Sequence, residues 1–412
     1  MIDIAIAGGG IGGLASALFL HEQGEQPTVY EAARSIRELG VGINLQPHAL
    51  RELSTIGLQD AVLQAGVSCD HWGLYNEYGQ EVWSEPRGLA AGEHWPQVSI
   101  HRGTLQGILL AAVRERLGAD RVQTDRRLGA FSQDRSMVQT SFTSVDGART
   151  EVESDVLLGA DGIHSQVRRQ LFPDEGQVCF SGQNMWRGLV KARAYLGGHT
   201  MAIIGHDAQK FIAYPITPPD DEGFALINWI VELPTDRPLG REDWNRTAEV
   251  GDLAARFTHW RVPWLDVASL IAQTGVAYEF PMVDRDPLPR WTHNRVTLLG
   301  DAAHPMYPIG ANGASQAIRD GAALSRAIAA SGVAGLASYD DERRPLTRDI
   351  VLSNRKLGPE AVLELAHVRA PHGFDRIDDV IPRHELEAVA RDYRTLTWAS
   401  APASHDAENS PV

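Results

Sequence analysis

Apolar and polar positions in this chain repeat with two periods, and the two mark different regions. Ile2 to Ala7 is a short apolar run that predicts a strand. Leu14 to His21 carries apolar residues at helical spacing, Gly24 closes that helix, and Pro27 to Tyr30 predicts a second strand ending in Glu31. The same alternation of strand and helix returns later. Helical spacing runs from Thr104 to Leu117, over 314–330 and over roughly 338–357, with Gly332 and Gly335 punctuating the last two. Strand patterns occupy Asp155 to Leu158 and Arg295 to Leu299. Elsewhere the period is two. Met185–Val190, Met201–Ile204, Phe211–Ile216 and Phe224–Val231 predict antiparallel strands separated by Gly, Pro and Asp turns. Residues 72–96 read as a hairpin, with Tyr75 and Trp83 flanking a turn at Glu77-Tyr78-Gly79. Arg383 to Leu396 fits one last amphipathic helix, and the small polar tail from Ala401 is expected to be disordered.

Chemistry enters at the strand ends. Gly8-Gly9-Gly10-Ile11-Gly12-Gly13 joins the first strand to the first helix, and Glu31 follows the next strand about 20 residues on, as a dinucleotide site requires. In that arrangement Gly8 makes the tight turn, Gly10 lets a pyrophosphate reach the backbone, and Gly13 lets helix and strand pack closely. Glu31 would accept hydrogen bonds from a ribose. A second signature is Gly300-Asp301-Ala302-Ala303-His304-Pro305, running on to Gly310-Ala311-Asn312-Gly313. It places an acid at a strand end, and soon afterwards a helix begins with exposed N–H groups. Asp301 can hold a polyol, and the positive helix end can face a negatively charged cofactor. A third element, Gly159-Ala160-Asp161-Gly162, also follows a strand, and Ser165 is a plausible N-cap for a helix to Leu171.

Composition narrows the class. The chain has 412 residues and a net charge of −15, which argues against a nucleic-acid partner. Two cysteines, Cys69 and Cys179, form no metal or disulfide pattern, so no metal is expected and a reducing cytoplasm is the simplest location. Phe224 to Leu233 is interrupted by Asn228 and Glu232 and cannot span a membrane. No signal peptide is expected before the first strand, and a monomer or homodimer is expected. Eight of the ten Trp residues, Trp186, Trp229 and Trp244 among them, fall in the period-two regions, which suits a planar substrate or simply a packed core.

The three signatures together resemble the single-component FAD-dependent aromatic hydroxylases. Further matching stretches are His101-Arg102-Gly103-Thr104-Leu105, Gly40 to Pro47, and Tyr339 with Arg343-Arg344-Pro345. Val82 to Gly88, Met185-Trp186-Arg187-Gly188 and Gly310-Ala311-Asn312-Gly313 point to the branch that hydroxylates phenazine carboxylates. The resemblance implies an α/β fold: a Rossmann-type FAD-binding domain with an inserted, mainly antiparallel substrate sheet and C-terminal helices. The FAD domain would comprise 1–71, 97–173 and 294–370. The sheet domain would comprise 72–96 and 174–293, followed by a helical segment 371–400 and a tail 401–412. It further implies a monooxygenase that uses FAD, transient NAD(P)H and O2 to hydroxylate a planar aromatic acid through a flavin C4a-hydroperoxide. Loss of the carboxylate, a salicylate or nicotinate substrate, and a flavin reductase or sensor on the same scaffold all stay open. In this reading Gly8, Gly10, Gly13 and Glu31 hold the ADP part, Arg102 neutralises phosphate, and Leu128 offers its backbone to adenine. Asp301 and Asp161 fix the ribityl and pyrophosphate region, and Gly42 runs beside the flavin. Pro308, Gly310, Ala311 and Asn312 are the catalytic positions: the N–H groups of the last three face the flavin pyrimidine edge, and Pro308 lies against the ring. Trp186, Tyr214 and Trp229 are candidate substrate walls, and Arg187 a partner for a substrate carboxylate. His304 is read as fixing a turn.

Overall fold

The computed structural model describes residues 2–37, 40–236, 247–356 and 358–389. Trp244, the tail 401–412 and the end of the expected last helix lie outside them; residues 383–389 are helical.

Five strands make a wholly parallel sheet in the order Val296–Leu298, Val156–Gly159, Ile4–Ala7, Thr28–Tyr30, Val122–Gln123. The central strand, Ile4–Ala7, is paired on both sides, with Ala7 opposite Tyr30 and Gly159. Strand order reverses there, so its C-terminal end opens a crevice of the kind where α/β sheets bind ligands. The strands are buried because helices cover the sheet. Ile11–Glu22, Arg102–Arg116 and Gly313–Ser331 pack in that layer. Small residues bring the first and last of these together: a Cβ on Gly321 would lie 2.8 Å from Ser16 Oγ, and one on Gly12 3.3 Å from Ala317 Cβ.

The second large sheet has seven strands in the order Ala277–Asp284, Cys179–Arg193, Phe224–Pro234, Gln209–Pro215, Thr200–His206, His71–Tyr75, Glu81–Pro86. All pairings are antiparallel except Thr200–His206 with His71–Tyr75. Alternation sorts its side chains onto two faces. Phe211, Ala213, Ile227, Trp229 and Val231 join one core with residues of the helices Val250–Ala255 and Val267–Ala272. Met201, Ile203, Ile212, Tyr214 and Ile230 join the other, with Val362 and Leu363 of the helix Ala361–Arg369. The fold is thus α/β, with a Rossmann-like parallel sheet and a mainly antiparallel companion.

Two smaller sheets were not anticipated. Arg127–Gln133, Val138–Thr143 and Arg149–Ser154 form one. It is tied to the parallel sheet by Phe142, whose ring stacks on Tyr30 at 4.3 Å. Gly42–Leu45, Gln97–His101 and Val67–Cys69 form the other. No described helix is long and apolar enough to cross a membrane, and the described residues contain no cluster of metal-ligating side chains.

Candidate active site

The glycine-rich turn shows three different steric demands. Gly8 has φ +114°, and a Cβ there would sit 2.2 Å from the Ala160 carbonyl oxygen. A Cβ on Gly13 would lie 2.0 Å from the Gly8 carbonyl oxygen. Gly10 would meet nothing within 4 Å and lines a cavity. So Gly8 and Gly13 serve packing, and Gly10 leaves backbone accessible. Glu31 Oε2 accepts from the Gly9 N–H at 2.7 Å and its Oε1 from the Ala33 N–H at 2.7 Å, so its carboxylate braces the turn. Gln106 secures the other side, donating to the Gly9 carbonyl at 2.7 Å.

The same cavity, about 380 Å³, passes Arg102 and Asp301 and ends on the antiparallel sheet. Asp301 sits in the short 3-10 turn Gly300–Ala302 after the strand Val296–Leu298. Its side chain is exposed to the cavity although protein surrounds it, and removal from bulk water pushes its pKa up while His304 and Arg102 oppose the rise. The loop that carries it is held from behind. Arg168 is almost fully buried and donates to the carbonyls of Ala302 and Ala303 at 3.1 and 2.9 Å. His304 Nε2 lies 2.6 Å from Asp320 Oδ2, so its ring serves the turn. Asp320 also accepts from the Gly300 N–H at 3.0 Å and from Arg343 Nε at 2.9 Å. Burial alone would raise the Asp320 pKa; His304, Arg343 and that N–H overcome it and hold the carboxyl well below its usual range.

Pro308 precedes the 3-10 turn Ile309–Ala311, and the helix Gly313–Ser331 starts directly after. Gly310 and Ala311 both have positive φ, +70° and +53°, the second unusual for a residue with a Cβ. Such local strain persists only when neighbours over-determine it. Gln46 and Asn312 supply this by donating to the Gly310 carbonyl at 3.2 and 3.1 Å. Pro308, Gly310, Ala311, Asn312 and Gly313 all line the cavity, and no side chain caps the helix start. Its first-turn N–H groups give this rim a positive potential.

Across the cavity stands one face of the seven-stranded sheet. Met201, Ile203, Ile212 and Ile230 make an aliphatic floor, with Arg187, Tyr214 and Glu232 among them. Arg187 Nη2 and Tyr214 Oη each donate to the Gly42 carbonyl at 2.7 Å, and the Gly42 N–H donates to Asn228 Oδ1 at 2.7 Å. One residue beside the rim is thus gripped by three strands of the sheet. A Cβ on Gly42 would lie 2.7 Å from Asn228 Cβ.

A glycine cradle with one open backbone position, a carboxylate facing the cavity, an arginine beside it and an uncapped helix N-terminus form a donor and acceptor set that fits a flavin dinucleotide. The family model for the FAD binding domain matches residues 1–249 and 272–353. The chain belongs to this family. It is a flavoprotein monooxygenase of the aromatic-hydroxylase type. Phenazine 1,6-dicarboxylic acid hydroxylase PhzS of Lysobacter antibioticus is 45% identical over 362 residues, covering 86% of this chain and 89% of that protein. The 6-hydroxynicotinate 3-monooxygenase of Bordetella bronchiseptica is 30% identical over 350 residues, covering 82% and 87%. Among solved structures, Klebsiella pneumoniae HpxO complexed with FAD and uric acid shares the fold with a TM-score of 0.78, covering 97% of each chain at 23% identity.

Within the flavoprotein, the positions singled out from sequence divide into those on the cavity and those away from it. Gly10, Arg102, Asp301, Pro308, Gly310, Ala311, Asn312, Arg187 and Tyr214 line the cavity. Gly8, Gly13, Glu31 and Gly42 shape its walls from behind. Trp186 and Trp229 stand on the opposite face of the sheet. Strand alternation puts them there, and Trp229 Nε1 donates to Thr274 Oγ1 at 2.7 Å in the far core. They are not walls of this cavity. Asp161 is also differently employed. Its carboxylate accepts from Ser165 Oγ and from the Gln166 and Val167 N–H groups, at 2.7 and 3.3 Å for the last two, so it caps the helix Gln166–Leu171. Ala160 and Gly162 form the cavity wall instead. Leu128 is a buried core residue and does not line the cavity. Three buried charged residues at one end of the cavity were given no site role from the sequence: Lys210, Glu232 and Glu360. For two of them the signal was present, since Lys210 and Glu232 share the parity of Ile212, Tyr214 and Ile230 on neighbouring strands.

Proposed function

We propose that this flavoprotein uses FAD, NAD(P)H and O2 to hydroxylate a flat heteroaromatic acid of the phenazine-carboxylate type. The observation that carries this reading is the cavity itself, a flat aliphatic floor with Arg187 at its edge, facing a polar rim built for a dinucleotide. The similarity to a phenazine dicarboxylate hydroxylase supports the ring class. Gly10 would admit the pyrophosphate to the backbone while Gly8 and Gly13 set the turn and its packing, with Glu31 near the ribose, the Leu128 backbone towards the adenine and Arg102 offsetting phosphate charge. Asp301 would take the ribityl hydroxyls, and Asp161 would act indirectly by fixing the helix beside the Gly162 wall. The N–H groups of Gly310, Ala311 and Asn312 would meet the flavin edge that becomes negative on reduction, already oriented and at no reorganisation cost. Bound there, FAD supplies the redox chemistry that activates dioxygen; the chain's residues position it and exclude water. Pro308 has no N–H to offer and presents a fixed, apolar surface beside that edge. Arg187 would hold the substrate carboxylate, and the ring would lie on Ile212, Ile230 and Met201. The domain division given above belongs to this reading.

The test is to follow NAD(P)H oxidation and oxygen uptake with phenazine-1-carboxylate, salicylate and 6-hydroxynicotinate. The expected outcome is coupled consumption with the phenazine acid and a product heavier by one oxygen, or one that has exchanged its carboxylate for hydroxyl. Fastest coupled turnover with the pyridine acid would move the reading to the 6-hydroxynicotinate type. NAD(P)H oxidation with no oxygen incorporated into any acid would sink it.

A further inference from the structure

The far end of the cavity holds a charge arrangement that carboxylate recognition does not use. Lys210 and Glu232 are cross-strand partners in the seven-stranded sheet. Lys210 Nζ lies 2.9 Å from Glu232 Oε2. Glu360, at the start of the helix Ala361–Arg369, brings a second carboxyl oxygen to 2.7 Å from the same Nζ. The three side chains are 3%, 3% and 5% exposed. Glu360 Oε2 is buried and, among the described residues, meets no partner other than that Nζ. Both glutamates line the cavity; the lysine behind them does not.

One ammonium therefore faces two carboxyl groups inside an aliphatic wall. Buried charge is expensive unless balanced, so this end of the cavity demands either a proton or a further positive group. Burial moves Glu360 in the direction of holding a proton when nothing else is there. The geometry gives the demand a direction. Arg187 is opposite Ile230 on the adjacent strand, and Glu232 lies two residues further along from Ile230 on the same face. That offset is roughly 7 Å along the strand and about 5 Å across it. Ile230 adjoins both, opposite Arg187 and next to Glu232 on that face, and Ile212 lies beyond it on the following strand. The floor is thus positive at one edge, apolar in the middle and short of positive charge at the other.

We propose that Glu232 and Glu360 form a cation-reading subsite, set in place by Lys210, that takes a positively charged ring nitrogen while Arg187 takes the carboxylate. The enzyme then selects zwitterionic heteroaromatic acids over acids with a neutral ring of the same shape. This rests on the reading of the cavity as an aromatic-acid site and names which acids it prefers.

Two tricyclic acids that differ in charge but hardly in shape test it: 5-methylphenazinium-1-carboxylate and 9-methylacridine-4-carboxylate. Both are titrated calorimetrically into the FAD-loaded enzyme at pH 8. The zwitterion should bind about tenfold tighter or better, as expected for a desolvated charge pair. Glu360→Gln and Glu232→Gln, which keep shape and remove charge, should each erase most of that preference. Arg187→Gln should weaken both acids by similar factors and leave the ratio standing. Thermal melts of each variant separate misfolding from lost recognition, and the wild-type ratio does not depend on any variant. Equal affinity for the two acids in wild type, or an unchanged ratio in both glutamate variants, overturns the subsite. If neither acid binds, the aromatic-acid reading falls with it; if both bind without preference, only the subsite falls.

Discussion

The glycine-rich turn and the cavity floor face each other, and they use opposite means. At the turn, recognition depends on side chains that are absent. Gly8 and Gly13 exclude a Cβ by 2.2 and 2.0 Å contacts, and Gly10 exposes its peptide to the cavity. At the floor, recognition depends on side chains that are present and set by register: Arg187 opposite Ile230, Lys210 opposite Glu232. The first device tolerates almost no substitution and is shared with any dinucleotide binder. The second can be rewritten residue by residue, so under the proposed function it is where substrate choice would be set.

The largest expected break comes at Gly13. Gly13→Ala drives a methyl into the Gly8 carbonyl, and overpacking of that kind costs about 3 kcal/mol or more. A thermal melt of the FAD-free protein should show it directly. Gly10→Ala sharpens the contrast: with nothing within 4 Å, the FAD-free melt should hold while flavin affinity falls. A similar loss of stability in both would erase the distinction between packing glycine and access glycine.

Of comparable size is Asp320→Asn, which strands Arg343 in the core. Breaking a buried pair costs about 3–5 kcal/mol. The pH dependence has a definite sign. The folded pKa of Asp320 is depressed, so its contribution is complete above the unfolded value of about 3.9 and is lost as pH falls from there towards the lower folded value. Acid unfolding of wild type should therefore steepen below about pH 4, and the Asn variant should lack that component.

Asp301→Ala should act on the cofactor and spare the fold. Its carboxylate is open to the cavity, and losing charge-assisted hydrogen bonds of about 1.5–3 kcal/mol predicts a ten- to hundredfold weaker flavin. Full flavin occupancy of the purified variant at micromolar protein would refute that role. The smallest effect belongs to Trp229→Phe. It loses the bond to Thr274, costing roughly 1 kcal/mol of stability, and should leave substrate KM unchanged because the ring faces away. A shifted KM would mean that the two sheet faces are coupled.

What could be read from sequence follows the same division. The Gly8 to Gly13 turn and the position of Asp301 at a strand end were legible because backbone chemistry demands fixed residues at fixed spacing; that Glu31 braces the turn was not. Ser165 was legible as a cap, and its hydroxyl accepts from the Arg168 N–H at 2.9 Å. Trp186 and Trp229 were misplaced because aromatic content says nothing about which face of a strand a ring occupies; register decides that. Asp161 was assigned to the cofactor through the resemblance, which says nothing of its carboxylate's bonds to Ser165 and the first N–H groups of its own helix. The strands Arg127–Gln133 and Val138–Thr143 were missed although Val138, Thr140 and Phe142 alternate with outward residues. Their runs are short and strongly polar, so the apolar content that marked other strands was lacking. Glu360 carries no local signal, since its partners are 150 residues or so distant in sequence and meet it only through the fold.

The grip on Gly42 has a practical corollary for redesign. Arg187, Tyr214 and Asn228 belong to three neighbouring strands yet converge on one residue of the opposing wall. Altering any of them to admit a new molecule also slackens a joint between the two halves. Met201, Ile203 and Ile212 border the same space through packing alone, as part of the core shared with Val362 and Leu363. A library aimed at changing what this protein accepts should start with those three, using swaps that conserve volume, since they carry no hydrogen bond to the opposing wall.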